Sequence, residues 1–162
     1  MSQVLRKCGG LDDLPAAVIG ESPNGHMSQW SYDGGSAARV KKLCGGKELP
    51  WFNLFEGNTT PWPRIPARVI ATKFCLELQR EKNSWILLLL GVKVCGAFGI
   101  EKPRWLEWYR SALGGPFIAV PHPSGLNRWW NSAENTEAAR QLLSKVALGL
   151  LPQTSHTAAD VS

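Results

Sequence analysis

The chain has 162 residues, 44% of them hydrophobic and 19% charged, a balance that excludes a disordered chain. This length suits one domain with a real core, and no apolar run is long enough to span a bilayer. A net charge of +5 suits a polyanion such as nucleic acid.

Residues 1–13 are polar and read as a loose lead-in. Leu-Pro-Ala-Ala-Val-Ile at 14–19 predicts a first strand, and Gly20, Glu21, Ser22, Pro23 and Asn24 follow it. Residues 23–35 read as a loop rich in Gly, Ser and aromatics. Ser36 can cap a helix through Ala37, Val40 and Leu43, which Gly45-Gly46 stops. The basic run Arg39 to Lys42 reads as a solvated face of that helix. Residues 49–55 predict a short second strand containing Asn53. After a turn-rich loop, Pro66 fits the first turn of a helix through Val69, Ile70, Phe74 and Leu78.

Trp-Ile-Leu-Leu-Leu-Leu at 85–90, followed by Gly91, has the pattern of a strand buried on both faces. A helix is expected to start at Val92. Residues 104–113 are amphipathic and Trp-rich, and 117–120 predict the last strand. Asn131 and Glu134 make a capping-box-like start for a long helix through Ala138, Leu142, Leu143 and Val146. The domain is placed at 14–150, with 151–162 as a flexible tail, and no internal repeat is present. Strands alternating with helices predict a three-layer α/β/α sandwich around a mostly parallel, four-stranded sheet. Sites in such folds lie on loops after the strand C-termini.

The most informative stretch is His122-Pro123-Ser124-Gly125-Leu126, directly after the last predicted strand. A His there sits at the mouth of the crevice, and Pro, Ser and Gly set the turn. Leu126 is an apolar loop tip of the kind that wedges into a base stack. An ordinary strand-to-helix turn with a capping Ser has the same composition. Gly20-Glu21-Ser22-Pro23 and His122-Pro123-Ser124-Gly125-Leu126 together resemble the two active-site motifs of the uracil-DNA glycosylase superfamily. The order between them is also similar: a strand ending in Asn53, then a Leu-rich strand ending at Gly91. The resemblance spans about residues 14–148.

It implies a DNA glycosylase that flips out uracil or a related altered pyrimidine and hydrolyses its N-glycosidic bond. Such chemistry must stabilise a departing base anion and an oxocarbenium-like sugar, and must place a water. By motif position, His122 would stabilise the anion, and Glu21 or Ser22 would place the water. Several branches carry Asp or Asn where this chain has Ser22, and the Gly-Glu-x-Pro branch usually has Gly where it has Asn24. Asn53 would read the base edge, with Tyr32 or Trp30 stacking on the ring; Tyr32 lies closer to where relatives place their Phe. Leu126 would be the wedge. Ser124 and neighbouring amides would hold phosphate, and Asn127 and Arg128 would touch the DNA backbone or the opposite strand.

Trp129 and Trp130 read as a hydrophobic anchor for the last helix. Cys8, Cys44, Cys75 and Cys95 are scattered without a C-x-x-C pair, so no metal site is expected and no cofactor is needed. The expected partner is DNA containing an altered pyrimidine, with no membrane, no metal and a monomeric state. Free thiols and the lack of a signal peptide lead to a cytoplasmic or nucleoid-associated expectation. Two rival readings remain: a non-catalytic DNA or modified-base binding module, and an enzyme acting on free nucleosides. The wedge-like Leu126 and the basic charge weigh against the second rival, because a mononucleotide needs no wedge.

Overall fold

The structure, a computed structural model, describes residues 16–21, 35–57, 59–81, 85–124, 127–150 and 156–157. Its strands are β1 (Ala16–Gly20), β2 (Trp51–Asn53), β3 (Ile86–Leu90), β4 (Trp108–Ser111), β5 (Gly114–Val120) and β6 (His156–Thr157). Its helices are α1 (Gly35–Leu43), α2 (Arg64–Arg80), α3 (Gly91–Ala97) and α4 (Ala133–Ala147), with a 3-10 turn at Arg128–Asn131. The sheet order is β2-β1-β3-β5-β4-β6. β2, β1, β3 and β5 run parallel, which gives the expected mostly parallel sheet.

β3 explains the layering. Every one of its five side chains is buried. Successive side chains of a strand point to opposite faces. Leu87 and Leu89 therefore join Ala17, Ile19, Phe74 and Phe98 in one core, under α2 and α3. Ile86, Leu88 and Leu90 join Val18, Val40, Leu143 and Val146 in the other, under α1 and α4. Each fully buried Leu contributes about 1.5–3 kcal/mol by removing apolar surface from water. An unbroken apolar run is what a strand covered on both sides requires.

The structure departs from the sequence reading at several places. Among the described residues the sheet has six strands rather than four. The Trp-rich segment at 104–113 holds β4, which pairs antiparallel with β5 through Trp108↔Ile118 and Tyr109↔Phe117. β4 buries Trp108 on one core and Tyr109 on the other, a period of two that aromatic clustering disguised. His156 and Thr157, assigned to the tail, pair with Tyr109 and Arg110. Ser36 lies inside α1, which begins at Gly35. The α4 cap is Ser132, whose hydroxyl accepts from Asn135 N at 3.2 Å, because Asn131 still belongs to the 3-10 turn.

Cys44, Cys75 and Cys95 are free and buried. Burial pushes their thiols up from an ordinary 9.0 to about 12, with Lys47 offsetting part of the effect at Cys44. These folded-state values are raised, so the thiols' contribution to stability is present below pH 9 and is lost as pH rises toward 12. A thiol reagent at pH 8 should therefore leave all three unlabelled in the native protein and label them after unfolding, as read by peptide mass spectrometry. Rapid native labelling of any of the three would contradict this burial.

Candidate functional site

The C-terminal ends of β2, β1, β3 and β5 meet along one edge of the sheet. Register places Gly20 opposite Asn53 and Leu90 opposite Val120. The β1–β2 end is continued by backbone bonds, from Leu54 N to Gly20 O and from Phe55 N to Glu21 O, both 3.0 Å. This edge carries Asn53, Glu21, Gly91 and His122 in turn at the ends of β2, β1, β3 and β5.

Gly91 is the floor between two of them. It has φ +87, a backbone conformation that side chains with a Cβ rarely adopt. A methyl group there would lie 3.4 Å from His122 Cβ, 3.5 Å from His122 Cδ2 and 3.8 Å from Glu21 Oε1. The imidazole and the carboxylate thus flank one backbone position.

His122 is held on both its ring and its main chain. Ser124 N donates to its Nδ1 at 3.2 Å. That nitrogen is then an acceptor, so the neutral ring carries its proton on Nε2. The His122 carbonyl accepts from Trp130 Nε1 at 2.9 Å and from Asn127 Nδ2 at 3.1 Å. Arg39 Nη1 bonds the next two carbonyls, Pro123 O at 3.3 Å and Ser124 O at 3.4 Å. Its guanidinium also lies 5.5 Å from the centroid of the Trp130 ring. Arg39 is therefore not a solvated helix residue, as the charge run implied, but a brace from α1 to the loop after β5.

Asn53 is braced as well. Its Oδ1 accepts from Trp51 Nε1 at 3.0 Å. The indole N–H can only donate, which identifies the carboxamide oxygen without ambiguity.

The remaining candidates fall into two groups. Asn127 uses both ends of its carboxamide inside the loop, donating to His122 O and accepting from Trp129 N, so its side chain positions His122. The Ser124 N–H, one of the amides near the expected phosphate contact, donates to His122 Nδ1. Arg128 is exposed at the start of the 3-10 turn. Trp130 is buried in the core and Trp129 packs against it edge-on, as an anchor for α4 requires. Ser22, Asn24, Trp30, Tyr32 and Leu126 lie outside the described residues.

Sequence reasoning missed Trp51, Gly20, Gly91 and Arg39 as site builders. Trp51 and Asn53 stand two apart on a strand, a spacing that puts both on one face and was open to reading. The other three act through neighbours distant in the chain. A groove of about 780 Å³ between α2 and α3 is lined by Trp62, Arg64, Val92, Lys93 and Glu101 and by none of Glu21, Asn53 and His122. No group of three or more metal-ligating side chains occurs among the described residues, and no described helix is long and apolar enough to cross a membrane. No protein-family model and no curated protein matches the sequence.

Gly91→Ala should strain the backbone by about 1–2 kcal/mol. A melting temperature several degrees lower is expected. Gly57→Ala, with nothing within 4 Å of the added methyl and no positive φ, should melt near the parent. Equal melting of the two variants would remove the constraint assigned to Gly91.

Proposed function

We propose that the protein is a DNA glycosylase that hydrolyses the N-glycosidic bond of uracil or a related altered pyrimidine in DNA. The observation that carries the reading is that Glu21 and His122 flank Gly91 at the sheet edge where Asn53 ends β2 opposite Gly20, with His122 held as an Nε2–H donor. The motif resemblance and the net charge of +5 support it.

In this reading the nucleotide leaves the base stack, and Asn53 bonds the edge of the flipped base. The C1′–N1 bond breaks with its electron pair going to the base. Negative charge grows on a base carbonyl oxygen, and His122 Nε2–H donates to it. The sugar becomes oxocarbenium-like, and water adds to C1′ while Glu21 takes its proton. The products are free base and an abasic site. The basic surface would draw in DNA, and three buried reduced thiols suit a reducing, cytoplasmic or nucleoid setting.

Oligonucleotides carrying uracil or other altered pyrimidines, incubated with the protein and then treated with alkali, test the reading. Strand breaks report base release. His122→Ala should slow single-turnover excision by about 10²-fold or more, the usual cost of losing an anion-stabilising donor. Unchanged excision by the folded variant would remove that role. Glu21→Gln should cut the rate by about 10²- to 10⁴-fold with DNA affinity near normal. If Ser22→Ala cripples excision while Glu21→Gln is silent, the water belongs to Ser22. A parent protein that binds altered DNA yet releases no base would establish the binding-module reading, which the Ser at position 22 favours.

A further inference from the structure

We propose that Trp51 is a positioning residue that decides which class of pyrimidine edge Asn53 accepts, an inference that rests on the base-reading role given to Asn53 above. Three observations converge on it. The Trp51 indole donates to Asn53 Oδ1 at 3.0 Å. Trp51 is half-buried and packs against the core under α1 and α4, so the donor itself is anchored. Gly20 faces this bond: a Cβ there would fall 2.5 Å from Asn53 Oδ1 and 2.9 Å from Trp51 Nε1. The absence of a side chain at Gly20 is what leaves room for the two groups to meet.

The chemistry follows from donor and acceptor counts. Uracil offers a donor at N3 and an acceptor at O4, whereas cytosine offers an acceptor at N3 and donors at N4. A carboxamide can serve either edge by turning over, because its terminal torsion is broad and two-fold. Trp51 removes that freedom. Turning Asn53 over would bring its NH2 against the indole N–H, donor against donor, and break the 3.0 Å bond. Oδ1 has two lone pairs, so it can keep Trp51 and still accept from a base. Among the described residues, Nδ2 has no partner and is left to donate. The site therefore presents one fixed order of donor and acceptor. Under the proposed function that order matches a 4-oxo, N3–H pyrimidine and rejects a 4-amino one.

The test uses the full chain and two variants, Trp51→Phe and Gly20→Ala. Trp51→Phe keeps an aromatic ring and deletes the donor. Gly20→Ala pushes Oδ1 away from the indole at a position with no positive φ. Two quantities are measured for uracil and cytosine: single-turnover excision, and affinity for oligonucleotides whose 2′-fluoro sugars resist cleavage. Thermal melting confirms that each variant is folded.

The parent should favour uracil in affinity as well as in rate. Each variant should lower the uracil-over-cytosine ratio by about tenfold in both measurements, a loss that general destabilisation would not produce. If the parent discriminates and both folded variants discriminate equally well, the lock is wrong and the base-reading role of Asn53 stands. If the parent shows no preference in affinity or rate, Asn53 is not a base reader, and the lock falls with that role.

Discussion

The parallel ladder β2-β1-β3-β5 is the constraint on which everything else rests. Its central strand, β3, is under 2% exposed along its whole length. A strand covered on both faces has no side chain free for chemistry. Polar function can begin only where the strands end, and because four of them run parallel, their ends share one edge. Gly20, Asn53, Leu90 and Val120 terminate their strands there. The residues that follow, Glu21, Gly91 and His122, inherit their positions from the sheet register and not from loop length. A register slip at β3 would turn its buried faces over and move Gly91 away from both His122 and Glu21.

Around that edge, reactive groups and supporting groups are separate residues. His122 has its ring fixed by Ser124 N and its carbonyl by Trp130 and Asn127. Asn53 has its oxygen fixed by Trp51. Each support is a donor, and each donor comes from a residue that is itself packed or hydrogen-bonded. Supports of this kind keep the geometry within the narrow tolerance that positioning catalysis needs. Arg39 ties the first residues after β5 to α1 through the carbonyls of Pro123 and Ser124.

Aromatic residues perform two kinds of work here. Trp108 and Trp130 fill the core under α1 and α4. Trp51 and Trp130 also use their indole N–H to orient a site residue. Tryptophan suits both tasks because a large apolar body can be buried while its one polar atom reaches a partner. Eight Trp in so small a chain therefore need not imply base stacking.

By itself, the sequence determined the layer architecture and the place of the candidate site. The apolar run at 85–90 and the strand before His122 are local patterns, and a strand buried on both faces needs both helix layers. Asn53 was legible as a polar residue at a strand end. Other features were decided only in three dimensions. β4 was hidden because its aromatics bury on opposite faces, a pattern also seen in an amphipathic Trp-rich segment. Ser132 and not Asn131 caps α4, because the 3-10 turn before it takes up one residue more. Arg39 reads as solvent-facing until the loop after β5 is seen to supply two carbonyls. Gly20 and Gly91 read as ordinary strand stops until their neighbours across the ladder are known. The physical reason is common to all of these. Periodicity is a property of neighbouring residues, whereas the approach of Asn53 Oδ1 to within 2.5 Å of where a Gly20 Cβ would lie depends on how two strands are aligned, and that alignment is set by the packing of the whole sheet.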